Sequence, residues 1–536
     1  MTKDLATKPV NTLTSATIII ALFSLLSKLT GLVRLNILTS RFDAGDVLDI
    51  FYAAFRLPDF VYNLLILGTL SAAFIPVFCD YLTRDKTEAL KLANTILNIA
   101  LIVMGFFAAV LFVLAPIFVS LIVPGFTPEK QIEVVKLTRI MSLAPLFFSL
   151  SSVLSSVLNS LKKFAVVAMM PVVYNLSIIF GAVILYPAFG KTGLAWGVVL
   201  GAALHFVLQL PAAYKTGFTW RPYLKLDLPG VRQTLKLYIP RIFGMDSAQI
   251  SLLVSTIVGS SLLAGSITYY NLAFDLQSLP LSIVAVSFAI VAFPLLSEAY
   301  AKSDRKTFAE IFNINLSQIL YLMIPLSLLM LILRAQLVRL VFGRGEFGWE
   351  ATVVTITTFG FFTVSLFAQG LIPLFTRAFY AMQNTLAPVL IGLSSMLVNI
   401  VGAVILTQYY HYGVEGLAIA FSVSVVLNLM LLFVVLEFKF GNLVDFDLVY
   451  KIFKITAASV LMGGCSYGML YLLDRFLDTH TVVGLFLQTL GSASVGAVVY
   501  LLLGIALNLA ESRHILLSGR NWLKKLSSSF TRYPQV

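Results

Sequence analysis

The sequence predicts an all-α polytopic membrane protein of about 14 transmembrane helices. They form two six-helix lobes related by a pseudo-two-fold axis along the membrane normal, plus two extra C-terminal helices. Three observations lead there. Of the 536 residues, 59% are apolar and only 12% are charged, where a soluble protein carries about 25% charged residues; mean hydropathy is +0.94. The apolar residues form unbroken runs of about 20, the length that crosses a hydrocarbon core. The chain also repeats itself at a spacing of six such runs. So few charges cannot cover a water-facing surface, which argues against soluble enzymes and DNA-binding domains. Long runs without ten-residue alternation argue against a barrel.

In chain order, the runs centre near residues 25, 65, 105, 146, 176 and 203, then 248, 283, 322, 365, 396 and 425, and finally 462 and 495. Charge, Pro or Gly bounds each of them. The implied organisation is an N-terminal tail (1–12), a first lobe (13–215), an inter-lobe linker (216–233), a second lobe (234–438), two further helices (439–510) and a basic tail (511–536). The first run lacks a small-residue cleavage site and is expected to remain as a helix. Pro58, Pro145, Pro240, Pro280 and Pro373 fall inside spans, where neighbouring helices satisfy the freed carbonyls.

With the N-terminus in the cytoplasm, cytoplasmic segments hold 23 of the 37 Lys and Arg residues and external loops hold 9. This bias sets orientation, so both termini are expected inside. The net charge of +12 is then a topology signal with some attraction to anionic lipid, and no nucleic-acid partner is expected. The repeat appears as YAAFRLPDF (52–60) against NLAFDLQSL (271–279), FIP (74–76) against AFP (292–294), VPGF (123–126) against VFGR (341–344), and GLAWG (193–197) against GLAIA (416–420). Six helices per period give both copies the same orientation.

Charges inside hydrocarbon cost about 2.5–3.5 kcal/mol on insertion scales, so each one needs a partner, a water-filled cavity or a function. Lys28, Arg34, Asp49, Arg56 and Asp59 all come from the first two helices. Lys28 and Arg34 are six residues apart, about 120° around a helix, and share one broad face. Arg56 and Asp59, three apart, can pair. The functional reading is an electropositive first-lobe cavity for an anion; the bland reading is a structural ion pair plus lysine snorkelling. The second lobe places Asp275 where the first has Arg56, and retains Arg241, Asp246 and Arg377. Asn175, Gln249, Asn399 and Asn428 are expected to hydrogen-bond between helices. Cys79 and Cys465 are too few for a disulfide or zinc scaffold. The four histidines, His205, His411, His480 and His514, show no metal spacing.

The run SKLTGLVRLNIL (27–38), followed by LDIFYAAFRLPDFVYNLLILGTLSAAFIPVF (48–78), resembles the MurJ/MviN family of lipid II flippases. That family lies in the multidrug/oligosaccharidyl-lipid/polysaccharide exporter superfamily. The Ser-basic-x-x-Gly-x-x-Arg signature, the Asp-x-Phe element, the AFxLP motif and the FxP ending occur in the family's order. Weaker similarity, including LPLSIVAVSFAIVAFPLLS (279–297), extends over nearly the whole chain. The resemblance implies a bacterial inner-membrane transporter, not an enzyme. It would move undecaprenyl-pyrophosphate-linked peptidoglycan precursor from the inner to the outer leaflet by alternating access. The last two helices would form a groove for the lipid tail. In the family, first-lobe basic residues contact the anionic head group, and the matching positions are Ser27, Lys28, Arg34 and Asp49, with Arg56 as an added candidate. Second-lobe candidates are Arg241, Asp246, Asp275, Arg377 and Asn399, the last being the one match to a sodium-site residue. Tyr62, Leu67 and Asp275 stand where the family usually carries a basic residue, an acidic residue and an arginine. No catalytic residue, metal or cofactor is expected. Coupling to membrane potential or to a monovalent cation is expected, with a lipid-linked saccharide as substrate and a monomer in the bilayer.

Two other readings remain open. A flippase for another polyprenyl-linked saccharide, or a multidrug exporter, would share the fold; an exporter of organic cations calls for an acidic cavity. A polytopic glycosyltransferase rests on Asp43, Asp46 and Asp49 in RFDAGDVLD (41–49), although no external loop is long enough for the domain such enzymes carry.

Overall fold

A computed structural model describes residues 8–66, 69–242, 247–441, 443 and 446–513, and every regular element among them is helical. The chain divides into two compact units, residues 1–271 with 341–351, and residues 272–340 with 352–536. The first holds α1 (Lys8–Phe42), α2 (Asp46–Leu65), α3 (Thr69–Arg84), α4 (Lys86–Ile122), α5 (Pro128–Met141), α6 (Ala144–Ser160), α7 (Phe164–Phe180), α8 (Tyr186–Phe189), α9 (Lys191–Val207), α10 (Leu210–Lys215), α11 (Pro229–Ile242), α12 (Ser247–Gly259) and the start of α13 (Ser266–Ile283). The second holds the rest of α13, then α14 (Ala285–Ala301), α15 (Arg305–Ile332), nearly all of α16 (Arg334–Val341), most of α17 (Trp349–Val364), α18 (Leu366–Ala381), α19 (Leu386–Val404), α20 (Gly413–Phe440), α21 (Phe446–Asp474) and α22 (Val482–Ala506).

Among the described residues, eleven helices or continuous helix runs are long and apolar enough to cross a membrane, and up to 13 if each of two bent pairs is one span. The bends are 47° between α13 and α14 and 41° between α17 and α18. The run expected near residue 248 is divided between α11 and α12, with residues 243–246 between them outside the description. Long apolar side chains point outward along the spans, such as Phe106 and Leu121 on α4, each 63% exposed. Lipid tails are as apolar as these side chains, so their exposure carries no penalty.

Helix starts follow local chemistry. The Asp85 carboxylate accepts the Thr87 N–H at 2.7 Å, and Asp304 accepts from Thr307 N and Oγ1 at 3.0 and 2.7 Å. These side chains satisfy amides that a helix leaves without partners in its first turn.

The sequence repeat marks one local device in each unit. In the first, α7 runs into a π-helical turn, Gly181–Leu185, before α8 and α9. In the second, α19 runs into Ile405–Tyr409 before α20. Each widened turn faces the glycine that opens a repeated motif. A Cβ on Gly193 would overlap the Leu185 carbonyl and lie 2.6 Å from Tyr186 N; one on Gly416 would lie 3.1 Å from Leu406 Cβ. GLAWG and GLAIA therefore recur because a small residue must seat the next helix against the turn.

At the end of the second unit, Glu511 is held by Lys451 Nζ and Ser317 Oγ, at 2.6 and 2.8 Å. Tyr321 Oη and Ser512 Oγ meet at 2.7 Å beside it. Burial pushes the Glu511 carboxyl up, but hydrogen bonds from Lys451, a backbone amide and Ser317 outweigh it, so it titrates below its ordinary 4.5. A depressed folded value contributes stability that is complete above the unfolded pKa and lost as pH falls through the folded one. Thermal unfolding in detergent is expected to fall more steeply below about pH 5 in the wild type than in Glu511→Gln. Parallel curves would show that this latch contributes nothing.

Candidate functional site

Polar contacts tie α1 to α7. Asn175 Nδ2 donates to the Ser27 carbonyl at 3.2 Å and lies 3.5 Å from Thr30 Oγ1. Gly31 lies beside that amide, where a Cβ would make ordinary contact at 3.7 Å. Ser27 thus contributes its backbone, and Asn175 makes the interhelical bond expected of it. Lys28 is half-buried and has no hydrogen bond or ion pair among the described residues. Six residues further along, Arg34 comes within electrostatic range of Tyr174 on α7.

Tyr174 is the centre of a mixed polar and aromatic cluster inside the first unit. Asp59 and Tyr62 of α2 act on it electrostatically. Phe148 of α6 packs on Tyr62 at 5.0 Å, on Tyr174 at 5.1 Å and on His205 of α9 at 5.5 Å between ring centroids. The imidazole Nδ1 meets Ser151 Oγ at 2.5 Å, and Gln209 Nε2 donates to the same hydroxyl at 2.6 Å. The Tyr174 hydroxyl is buried with no hydrogen-bond partner among the described residues. A guanidinium, a carboxylate, phenols and an imidazole therefore converge from α1, α2, α7 and α9. Such a group offers an anion a charged fork, and it offers hydroxyl-rich groups both donors and flat apolar faces.

Sequence reasoning missed Phe148, Tyr174 and His205. Phe148 and Tyr174 look like span filler in an apolar run, and His205 has no ligand-like spacing. The available signal was Tyr62, an aromatic where the resemblance expects a cation; its ring lies against Phe148.

Asp49 and Arg56 are turned into the protein, away from this cluster. Asp49 is 2% exposed. Its Oδ2 accepts from Gly265 N at 2.7 Å, and its Oδ1 accepts from Thr268 N and Oγ1 at 2.8 and 2.7 Å. It caps the first turn of α13, where the helix dipole favours a carboxylate. Thr268 is the residue that the repeat sets opposite Asp49, at an offset of 219. Arg56, 5% exposed, donates from Nε to Thr256 Oγ1 at 3.0 Å and from Nη2 to Asn271 Oδ1 at 2.7 Å. Both side chains were expected to face substrate; here they fasten α2 to α12 and to the first residues of α13.

The second-lobe candidates do not form one cluster on the contacts described. Asp275 is half-buried on α13, its backbone carbonyl accepting from Ser278 Oγ at 2.8 Å. Arg377 on α18 is half-buried, with Nη1 sealed from solvent and without a hydrogen bond among the described residues. Asn399 on α19 is 3% exposed. Asp246 and Leu67 lie outside the described residues, as does the side chain of Arg241. What the second unit does assemble is a buried amide and hydroxyl chain. Gln369 Nε2 donates to Gln277 Oε1 at 2.9 Å and lies 3.1 Å from Ser365 Oγ, which donates to Ser422 at 3.0 Å.

Asp43, Asp46 and Asp49 do not converge on a metal or a base site. Asp43 accepts its neighbour's amide, Ala44 N, at 2.6 Å, Asp46 pairs with Lys130 at 2.6 Å, and Asp49 is the cap just described. No group of three or more His, Cys, Asp or Glu side chains suited to a metal occurs among the described residues.

Comparison with known proteins gives a consistent answer. The family model described as "Lipid II flippase MurJ" matches residues 38–491. A probable lipid II flippase MurJ of Vibrio cholerae is 31% identical over 91% of this chain and 96% of its own length. That of Buchnera aphidicola is 30% identical over 83% and 88%, and the lipid II flippase MurJ of Burkholderia cenocepacia is 30% identical over 77% and 81%. Among solved structures, a lipid II flippase MurJ in an inward closed conformation superposes with a TM-score of 0.74 at 25% identity, covering 91% of this chain and 98% of that one. An inward-facing multidrug resistance MATE transporter gives 0.65 at 13% identity, covering 78% and 95%, a likeness of fold alone. The chain belongs to the lipid II flippase MurJ family, and it is a multi-pass protein of the bacterial inner membrane.

Proposed function

We propose that this member of the MurJ family is a transporter that carries lipid II, the undecaprenyl-pyrophosphate-linked peptidoglycan precursor, from the inner to the outer leaflet. The observation that carries the reading is the convergence of Arg34 with Tyr62, Tyr174, Asp59 and His205 in a family-matched chain. A pyrophosphate-sugar head group is anionic and hydroxyl-rich; it needs a cationic, hydrogen-bonding site inside the membrane, while its tail stays in lipid. Arg34 takes the pyrophosphate, Lys28 adds a second charge from the same face of α1, and the aromatic rings lie against the saccharide. The site opens alternately to the two leaflets, and both termini face the cytoplasm. The test is growth of a strain depleted of its own lipid II flippase: rescue by the wild type supports the cargo, and failure despite membrane insertion removes it.

Coupling to the membrane potential follows from the charges. A negative-inside potential favours outward movement of an anion and inward return of an empty cationic site, at about 2.3 kcal/mol per charge per 100 mV. Collapsing the potential in sealed vesicles is expected to slow flipping several-fold. An unchanged rate would leave coupling to a monovalent cation as the remaining drive.

A further inference from the structure

A cavity of about 490 Å³ lies in the second unit, between the end of α15, the start of α16, the last turns of α21 and the first turns of α22. Its polar lining is Arg334, Gln336, Tyr467, Tyr471, Asp474 and Gln488. Helix α21 has 29 residues, roughly 43 Å against about 30 Å of hydrocarbon, long enough for an end to reach head-group depth. Tyr467 and Tyr471 are 52% and 63% exposed there, with hydroxyls 3.1 Å apart, as in an interfacial aromatic belt.

The charges in this cavity do not neutralise one another. Among the described residues neither Arg334 nor Asp474 forms an ion pair. Among them, Arg334 reaches only the Leu331 carbonyl, at 3.5 Å. Asp474 accepts only long bonds, from Thr479 Oγ1 at 3.3 Å and Gln488 Nε2 at 3.4 Å. The Gln336 side-chain oxygen is buried with no partner among the described residues. A cation, an anion and an orphaned acceptor share one recess.

We propose that this cavity binds the head group of a zwitterionic aminophospholipid. The guanidinium takes the phosphate as a fork. The primary ammonium donates to Asp474 and to Gln336 Oε1, with the two tyrosine rings flanking the cation. The acyl chains run along the outward apolar face of α21, where Val460 and Leu461 are 59% and 57% exposed. A purely anionic head group would set its charge against Asp474, and an uncharged saccharide would leave Arg334 without a counter-charge. Its lining shares no residue with the Arg34–Tyr174 cluster proposed to hold the cargo's head group, so its failure and that of the flippase reading are separate results.

Native mass spectrometry of the purified chain, titrated with phosphatidylethanolamine or phosphatidylglycerol, reads the proposal directly. The expected preference for phosphatidylethanolamine is about tenfold, or 1.4 kcal/mol. Asp474→Asn should abolish that preference, Gln336→Leu should reduce it, and Arg334→Ala should weaken retention of both lipids. Thermal unfolding of each variant checks the fold, and the exposed carboxylate makes Asp474→Asn the safest of the three. Equal retention of the two lipids by the wild type overturns the proposal, as does a preference that survives Asp474→Asn. Binding of a soluble disaccharide with no lipid preference also overturns it, in favour of a saccharide site.

Discussion

Arg34→Ala is expected to abolish rescue of a flippase-depleted strain while leaving the protein inserted and folded. Arg34 is half-buried on α1, facing the Tyr174 cluster from a span with few other charges. A guanidinium bound to pyrophosphate supplies paired, charge-assisted hydrogen bonds, each worth about 1.5–3 kcal/mol. Losing the pair lowers head-group affinity on the order of a hundredfold or more. Arg34→Lys keeps the charge but loses the planar fork, so partial rescue is expected. Growth under depletion, with membrane levels and thermal stability measured alongside, decides the matter. Full rescue by Arg34→Ala with normal expression would move the binding site elsewhere.

Asp49→Ala should fail for a different reason. The substitution strands the Gly265 and Thr268 amides and the Thr268 hydroxyl in a site that is 2% exposed at the carboxylate. Each buried donor left without a partner costs about 1–3 kcal/mol, so the protein level and the unfolding temperature should both drop sharply. Asp49→Asn, which keeps an acceptor oxygen, should recover part of the loss. A variant with wild-type stability and no transport would instead return Asp49 to the substrate site. Arg34→Ala and Asp49→Ala thus separate the proposed binding residue from a fastening one, although both are charges from the first two helices of one family motif.

The fold class was legible because a bilayer leaves a chain few options. Backbone groups in hydrocarbon must be satisfied within the segment, so a run such as 86–122 becomes one long helix whatever surrounds it. The repeat was also legible, and the structure supplies its local physical content: Gly193 and Gly416 recur where a side chain would strike the preceding π turn. The site was less legible. Arg34 and Lys28 stood out as charges in an apolar span, but Phe148 and Tyr174 were indistinguishable from lipid-facing aromatics until α6, α7 and α9 were placed around α2.

Composition and run length determine by themselves that this chain is a helical membrane protein, because those properties act segment by segment against the solvent. The family likewise follows from local motifs. Which intramembrane charges serve a ligand and which hold the protein together is a tertiary decision. Asp49 and Arg56 belong to the same short helix as Asp59 and Tyr62, yet their partners Thr268 and Asn271 lie more than 200 residues away. A charge in hydrocarbon goes to whatever satisfies it, and only the packed structure says what is within reach.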